Sequence, residues 1–406
     1  MGLVALTVAQ IGGCRASSGH PGRPAAEVVS TADRRIRVRL DKSAPHFMLA
    51  VEGGCLIDDD RGTPLTEPML ELERCVVKPD PADPNILTLG NLRVRGPVMR
   101  ILPELDGTLA YNDRHYRGYL VVRLQDAGFL SINVVDIESY LRGVLRGELP
   151  RYFHPETFRV QAIVSRTYAL YQRFVNGKNR AWDVTADTSS QVYRGVEGEG
   201  SKSNDAVDAT AGLVCAWDSP KGRKIFCTYF SSTCGGMNQD VVNVKGRSPI
   251  APLRGGVVCK HCAASEWFRW RTVRLSKDRI TADIKPWLIR GGYSHAEDLD
   301  RVEDIQIIKK TADGRAVRLR LIDKNRLAVD MRAEDFRLLV ENGRLIKSTQ
   351  FQIVTEPDVI CFVNGRGYGH GIGLCQHGAD GMARRGVKAG QILQHYYPGC
   401  VLVKAY

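Results

Sequence analysis

The chain has 406 residues, of which 43% are hydrophobic and 25% charged, so it contains enough apolar material for two domains or for one large domain with an insertion. The net charge of +12 favours a polyanionic partner: nucleic acid, anionic lipid or an anionic cell wall. The sequence has no dense run of lysine and arginine with interleaved aromatic residues, so no local pattern supports nucleic-acid binding, and no segment after the N-terminal region is long and apolar enough to span a membrane.

The N-terminal region predicts an exported protein. Residues 2–13 form an uncharged, mostly apolar run that is too short to span a membrane and is typical of a signal peptide. Cys14 ends the sequence IGGC, which resembles a bacterial lipobox, so residues 1–14 are interpreted as a lipoprotein signal with Cys14 as the lipidated residue. The usual positively charged start is missing, which leaves a plain secretory peptide and an upstream start as alternatives. Residues 15–33 predict a flexible tether, so we expect a membrane-anchored lipoprotein of the cell envelope.

Residues 34–117 predict a β-rich N-terminal part. The strict alternation RIRVRL at 35–40 fits a half-buried strand, and strand-like stretches continue through this region. Two more predicted strands, at 118–124 and 129–135, run directly into a helix.

Residues 136–150, DIESYLRGVLRGELP, predict a short amphipathic helix that presents one carboxylate at its end. Asp136 fits the N-cap and Pro150 stops the helix. The apolar residues from Ile137 onward form one stripe, and Glu148 lies about three turns after Ile137, so it continues that stripe. A carboxylate held against apolar neighbours has a raised pKa, which suits a general acid that works near neutral pH. The alternative is that the helix frays at its end and Glu148 points into water.

The remaining elements predict a mixed α+β fold, with a β-rich and helical core and an inserted α/β subdomain. A second helix is expected at 155–176, a polar surface loop at 183–195 and a third helix at 204–212. Strands at 213–217 and 225–231 are expected to form a hairpin around a turn at 219–223. Residues 118–266 and the glycine-rich residues 357–406 are interpreted as two parts of one core. Residues 267–356 are interpreted as the insertion, with strands at 268–273, 305–309 and 316–321 and helices at 277–288 and 333–340.

Ten of the eleven cysteines remain when Cys14 is set aside. An even number in an exported chain permits disulfides, whose pairing cannot be deduced from sequence. Cys259 and Cys262 form a Cys-x-x-Cys pair, and together with Cys234 and either His261 or another ligand they are candidates for a structural zinc site. A disulfide is the alternative interpretation.

Six sequence segments, in this order, resemble the SpoIID/LytB domain family, which includes stage II sporulation protein D and relatives that act on peptidoglycan. They are GELP at 147–150, VQAIVSRTYAL at 160–170, DTSSQVYRG at 187–195, YFSSTCGG at 229–236, LIKSTQF at 345–351 and GYGHGIGLCQHGADGMA at 367–383. The resemblance covers roughly residues 34–406, and the last segment is its most specific match.

The resemblance implies a lytic transglycosylase that cleaves the bond between N-acetylmuramic acid and N-acetylglucosamine and leaves a 1,6-anhydro ring. One Glu, here Glu148, would act first as acid and then as base, and no cofactor is required. Most glycosidases need two carboxylates, but the internal C6 hydroxyl nucleophile removes the need for the second one.

The expected substrate-binding residues form a second set. Arg166 lies off the apolar stripe of its helix and is expected to hold a substrate oxygen, with a structural ion pair as the alternative. His370 and Gln376 are expected in the cleft. The alternative is that this segment is a structural glycine-rich turn in which His370 is buried and its hydrogen-bonding groups are satisfied. The others are Gln191 and Tyr193, which are expected to hydrogen-bond and stack on sugars, and Ser231, Ser232, Gly235 and Gly236, which are expected to line the cleft.

The sequence departs from the family pattern at one site, and the family itself offers a second function. Members of the sporulation branch carry a Cys and a His near the QVY segment that hold zinc, whereas residues 185–190 here contain neither. LytB-like members also resemble amidase enhancers, so the alternative function is a glycan-binding module without catalysis. The expected partners are therefore peptidoglycan glycan strands, the membrane through the lipid anchor and, on the alternative, a cell-wall amidase.

Overall fold

The computed structural model describes residues 26–27, 33–83, 85–104, 107–126, 128–177 and 179–406. The predicted signal peptide, Cys14 and nearly all of the predicted tether lie outside the described residues. The chain divides into two compact units. We call Ala25–Thr228 with Lys388–Gly390 and Cys400–Tyr406 the N-terminal unit, and Tyr229–Val387 with Gln391–Gly399 the C-terminal unit. Within the described part of the chain, none of the helices combines the length and the hydrophobicity needed to cross a bilayer.

The N-terminal unit consists mainly of strands. Its strands are β1 (Ala26–Glu27), β2 (Arg35–Ala44), β3 (Phe47–Asp58), β4 (Leu70–Pro79), β5 (Ile86–Leu89), β6 (Leu92–Arg95), β7 (Val98–Pro103), β8 (Leu109–Tyr111), β9 (Arg114–Tyr116), β10 (Tyr119–Gln125), β11 (Gly128–Asp136), β12 (Val184–Thr185), β13 (Leu213–Ser219), β14 (Gly222–Ile225) and, from the end of the chain, β23 (Cys400–Lys404). Its helices are α1 (Ile137–Glu148), α2 (Pro155–Asn176) and α3 (Ser201–Ala209), with a 3-10 turn at Gly195–Gly198.

One large sheet positions α1. Its strand order is β12-β2-β11-β10-β7-β3-β4-β5-β6, with β8 on β3 and β9 on β8. Ile36 and Val38 of β2 are fully buried, Arg35 is exposed and Arg37 is partly exposed, as the predicted alternation requires. Strands β10 and β11 pair antiparallel from Tyr119↔Val134 to Gln125↔Gly128, which confirms the two predicted strands. Because β11 ends at Asp136, the sheet fixes where α1 begins.

A smaller sheet of the same unit has the order β1-β14-β13-β23. Strands β13 and β14 form a hairpin as predicted, but the second strand lies at Gly222–Ile225 and not at 225–231. Strand β13 also pairs antiparallel with β23. The third helix begins at Ser201, three residues earlier than the predicted start at 204. It ends at Ala209 because the chain turns immediately afterwards: Leu213 donates its N–H to the Thr210 carbonyl at 2.9 Å, and Gly212 adopts a φ of 70°.

The C-terminal unit contains the strands and helices expected of the insertion and the glycine-rich end. Its strands are β15 (Phe230–Ser231), β16 (Val273–Ser276), β17 (Val302–Lys310), β18 (Ala316–Asp323), β19 (Ala328–Arg332), β20 (Gln352–Thr355), β21 (Val359–Val363) and β22 (Leu374–Cys375). The helices of this part of the chain are α4 (Val241–Lys245), α5 (Lys277–Arg290), α6 (Ala333–Leu339), α7 (Gln376–Ala383) and α8 (Ala389–Tyr396).

The core of the C-terminal unit includes one apolar face of α5. Ile280, Ile284 and Leu288 recur every four residues and are fully buried. Most predicted elements of 267–356 are present, but the strand predicted at 268–273 is misplaced, since β16 begins only at Val273. Before it, Trp270 donates its N–H to the Gly365 carbonyl at 3.0 Å, in an isolated bridge. The predicted mixed α+β fold class is confirmed, while the predicted domain boundaries stay predictions.

Candidate active site

Helix α1 carries the candidate catalytic Glu148 at its last position. The Asp136 side chain accepts the N–H of Glu138 at 2.9 Å, which makes it the N-cap that the sequence predicts. The predicted apolar stripe is buried along its whole length: Ile137, Tyr140, Leu141, Val144 and Leu145. Leu149 still donates its N–H to the Leu145 carbonyl at 2.9 Å, so the helix does not fray before Glu148.

The carboxyl group of Glu148 lies in a protein environment that favours its neutral form. Its Oε1 atom accepts the Val192 N–H at 2.6 Å. Burial raises the pKa of Glu148 to about 7, although the Val192 N–H and the charge of Arg194 act in the opposite direction. The predicted rise in pKa is confirmed. Near neutral pH such a group can donate a proton in one step and accept one in the next.

Two glycines of α1 allow the QVYRG segment to lie against the helix. A Cβ at Gly147 would be 2.3 Å from the Val192 carbonyl oxygen, and one at Gly143 would be 2.7 Å from the Gly195 carbonyl oxygen. Sequence reasoning missed both residues. The available signal was two glycines in a helix interior, where glycine costs about 1 kcal/mol relative to alanine and therefore indicates a close approach.

Gln191 and Tyr193 do not lie where sugar contact requires them. The predicted surface loop at 183–195 is exposed only in part: Thr188 and Ser189 are exposed, whereas Gln191 is 0% exposed and Tyr193 is 1% exposed. Gln191 accepts the Tyr140 hydroxyl at 3.1 Å, and Tyr193 donates its hydroxyl to Asn133 Oδ1 at 3.1 Å. These two side chains are internal packing and hydrogen-bonding residues, and they hold the segment that presents the Val192 N–H to Glu148.

Arg166 is also internal, which corrects the expected substrate contact. Its side chain is fully buried and pairs with Glu138 through two bonds, Nε to Oε1 at 3.0 Å and Nη2 to Oε2 at 2.6 Å. Glu138 also accepts the Gly212 N–H at 2.9 Å and the Tyr406 hydroxyl at 2.5 Å. Burial alone would raise the pKa of Glu138. The hydrogen bonds and charge of Arg166, together with the Tyr406 hydroxyl and the Gly212 N–H, hold this pKa below its usual value. The structural ion pair, the alternative left open by the sequence, is the arrangement present.

The YFSSTCGG and glycine-rich segments meet each other in the C-terminal unit. Strands β15 and β22 pair in parallel, Ser231 opposite Cys375, and Thr233 and Tyr368 exchange backbone hydrogen bonds of 3.1 and 2.7 Å. Ser231 and Gln376 are both 7% exposed. The other residues expected to line the cleft lie in the same turn: Ser232, whose hydroxyl is 3.4 Å from that of Thr233, and Gly235 and Gly236, which adopt φ values of 81° and 118°.

His370 lies beside this turn as a neutral imidazole. Its Nδ1 accepts the Ile372 N–H at 2.9 Å, and its ring meets the edge of Tyr229 at a centroid distance of 5.8 Å. Burial lowers the pKa of His370 to about 3. These contacts agree with the alternative given for His370, a buried side chain in a structural turn that makes its hydrogen bond within the protein.

Four cysteines of the C-terminal unit converge in one place. The structure brings the predicted Cys234, Cys259 and Cys262 together and adds Cys375, with all four Sγ atoms within 4.8 Å of one another and all four residues buried. His261 is directed elsewhere, since its Nδ1 contacts Arg385. The fourth member of the set is thus a thiol from the glycine-rich segment, which sequence reasoning missed.

Comparison with known proteins identifies the family. A family model described as stage II sporulation protein, SpoIID, matches residues 125–217, which contain Glu148 and the QVYRG segment. An uncharacterized protein of Brachyspira hyodysenteriae is 32% identical over 305 residues, covering 75% of this chain and 76% of the relative. The stage II sporulation protein D of Bacillus subtilis is 25% identical over 290 residues, covering 68% and 76%. The chain belongs to the SpoIID/LytB family.

Two further matches extend this family assignment. The amidase enhancer of Bacillus subtilis is 23% identical over 360 residues, covering 78% of this chain but 48% of the relative, so the chain spans about half the length of that protein. A second model, a domain of unknown function (DUF8618), matches residues 259–373, which overlap the predicted insertion. Membership of the SpoIID/LytB family supports a role connected with the cell wall.

Proposed function

We propose that this protein is a peptidoglycan lytic transglycosylase in which Glu148 is the single acid and base. The observation that carries the proposal is the Glu148 carboxyl group at the end of α1, with its pKa near 7 and the Val192 N–H at 2.6 Å. The family membership and the net charge of +12, which suits an anionic polymer, support the same substrate.

The proposed reaction needs no water and no second carboxylate. Protonated Glu148 donates its proton to the glycosidic oxygen as the bond from that oxygen to C1 of the muramoyl residue breaks. The muramoyl C6 oxygen then attacks C1, and its proton passes to the Glu148 carboxylate. The products are a new glucosaminyl end and a 1,6-anhydromuramoyl end, and Glu148 is protonated again. A pKa near neutrality suits both proton transfers.

The decisive experiment compares wild type with Glu148→Gln on purified peptidoglycan, with and without stem peptides, and detects anhydromuramoyl ends by mass spectrometry. We expect the variant to lose a factor of at least about 10² in rate, the contribution of a positioned acid and base. Glu197→Gln is the matched control, because Glu197 is a half-exposed carboxylate of the same unit that pairs with His115. Anhydro ends that persist in Glu148→Gln would contradict the assigned role.

The second candidate function is enhancement of a cell-wall amidase by glycan binding without cleavage. The relative named amidase enhancer favours it. On this alternative, wild type and Glu148→Gln bind glycan strands equally, neither produces new ends, and both raise the rate of an added amidase.

We also propose that the protein is exported and anchored by lipidation of Cys14. The signal-like residues 2–13 and the IGGC sequence support this localisation. In a bacterial host fed a labelled fatty acid, wild type should carry the label and reach the membrane fraction, whereas Cys14→Ser should carry none. Cys75→Ser, which alters a partly exposed cysteine outside the segment, is the control. An unlabelled wild type would contradict the proposal.

A further inference from the structure

The four-cysteine cluster joins three separate segments of the C-terminal unit. Cys234 comes from the YFSSTCGG turn, Cys259 and Cys262 from the following loop, and Cys375 from the end of β22. The Sγ atoms of Cys234 and Cys262 are 3.8 Å apart, and all four Sγ atoms lie within 4.8 Å of one another. Each thiol is buried, so the cluster is a small interior shell of sulfur atoms.

The spacing is that of a metal–sulfur tetrahedron. A zinc ion bound at about 2.3 Å by four thiolates separates its sulfur atoms by about 3.8 Å, whereas a disulfide brings two sulfur atoms to about 2.05 Å. We propose that Cys234, Cys259, Cys262 and Cys375 bind one structural zinc ion in a closed tetrahedral site. Four protein ligands leave no open position for water or substrate, so the ion would stabilise the fold and take no part in the reaction.

The atoms around the cluster are those that stabilise bound thiolates. Cys375 Sγ accepts two backbone N–H groups, from Cys234 at 3.2 Å and from Gly378 at 3.3 Å. The Tyr396 hydroxyl lies 3.0 Å from Cys259 Sγ. Such outer contacts orient metal ligands and hold their charge. Cys375 is also the N-cap residue of α7, which directs the Gly378 N–H at its sulfur atom.

A buried cation lies beside the cluster. Four thiolates and one Zn²⁺ carry a net charge of −2, which needs compensation inside a protein. Arg315 is 1% exposed, and its guanidinium donates to the Cys234 carbonyl at 2.8 Å and to the Gly369 carbonyl at 3.2 Å. Within the described part of the chain, the Asp313 and Glu334 carboxylates act on this guanidinium electrostatically, but from beyond ion-pair distance. A buried cation is costly without nearby negative charge, and a −2 centre next to it would lower that cost further.

The proposed ion would fix the two motif segments of the C-terminal unit to each other. Cys234 lies between Thr233, which bridges to Tyr368, and the Gly235–Gly236 turn. Cys375 is the register partner of Ser231 in the β15–β22 pair. This site uses none of residues 185–190, where the sporulation branch has its zinc ligands. It also depends on neither of the two candidate functions.

The test is the metal content and ligand set of the protein purified without chelators. We expect one zinc per chain by mass spectrometric elemental analysis, with X-ray absorption giving four sulfur neighbours at about 2.3 Å. Replacement by cobalt(II) should give the strong visible bands of a tetrahedral thiolate site. Cys375→Ser should lose the ion or these bands, whereas Cys361→Ser, a buried cysteine of the same unit outside the cluster, should keep both.

A second measurement on wild type keeps the proposal testable if Cys375→Ser does not fold. Alkylation after unfolding with a chelator and no reductant should label all four cysteines, since thiolates released from zinc are free. Peptide mapping that finds these four residues in two disulfides, iron as the bound metal, or a wild-type protein free of metal would each overturn the proposal.

Discussion

Replacing Arg166 by alanine is expected to lower the free energy of unfolding by about 3–5 kcal/mol, the cost of leaving one partner of a buried ion pair uncompensated. The Arg166 side chain is 0% exposed and that of Glu138 is 11% exposed. Without Arg166, the Glu138 carboxylate would keep only neutral donors such as the Gly212 N–H and the Tyr406 hydroxyl. Arg166 also donates to the Leu213 carbonyl at 3.1 Å, so β13 would lose a contact as well.

The measurement is urea unfolding, with hydrogen exchange of α1 and α2 peptides to assign the loss to the N-terminal unit. Arg223→Ala is the matched control, because Arg223 pairs with Asp218 in the exposed β13–β14 hairpin and such a pair contributes less than about 1 kcal/mol. The double variant Arg166→Met/Glu138→Gln should recover part of the loss, since it removes the unpaired charge and keeps an acceptor for Gly212. A cost for Arg166→Ala no larger than that of Arg223→Ala would return Arg166 to the list of substrate-binding candidates.

The position of Arg166 shows where sequence reasoning failed. Amphipathic periodicity assumes that a helix has one face in water, and on that assumption a residue off the apolar stripe is available to a ligand. Helix α2 is instead covered on nearly all sides, so Gln161 and Ser165 are as buried as the stripe itself. The partners of Arg166 and Glu138 come from α1, β13 and the last residue of the chain, and no local pattern could indicate them.

Helix α1 shows the opposite case. Its N-cap, apolar stripe and proline stop are local, so the helix and the position of Glu148 at its end followed from fifteen consecutive residues. The distant Val192 segment completes the environment of the carboxyl group. The fourth cysteine needed long-range information. Cys375 lies in the motif segment and far in sequence from the Cys-x-x-Cys pair, and the β15–β22 pairing is what brings it close to Cys234.

Glu148→Gln is expected to be more stable than wild type at alkaline pH. Burial raises the pKa of Glu148 to about 7 in the folded protein, above the ordinary value of 4.5 that the group has in the unfolded chain. The folded state therefore binds this proton more tightly than the unfolded state, and the stability of wild type falls as the pH rises from about 4.5 to about 7. Above that range the ionised carboxylate, which belongs to a partly exposed residue, costs at most about 3 kcal/mol. Glutamine has no such charge, and its side-chain oxygen can still accept the Val192 N–H.

The free energy of unfolding of both proteins should therefore be measured by urea titration from pH 4.5 to 8.5. The free energy of unfolding of Glu148→Gln minus that of wild type should be near zero at pH 4.5. The difference should grow as the pH rises to about 7 and then become constant. Glu197→Gln should show no such gain, because hydrogen bonds from His115 hold the pKa of Glu197 below its usual value against the effect of burial. An advantage that does not change with pH would mean that Glu148 is not held in its neutral form by burial. The acid role would then lose its physical basis, since the same burial that keeps the proton on Glu148 near neutral pH is what destabilises the ionised protein.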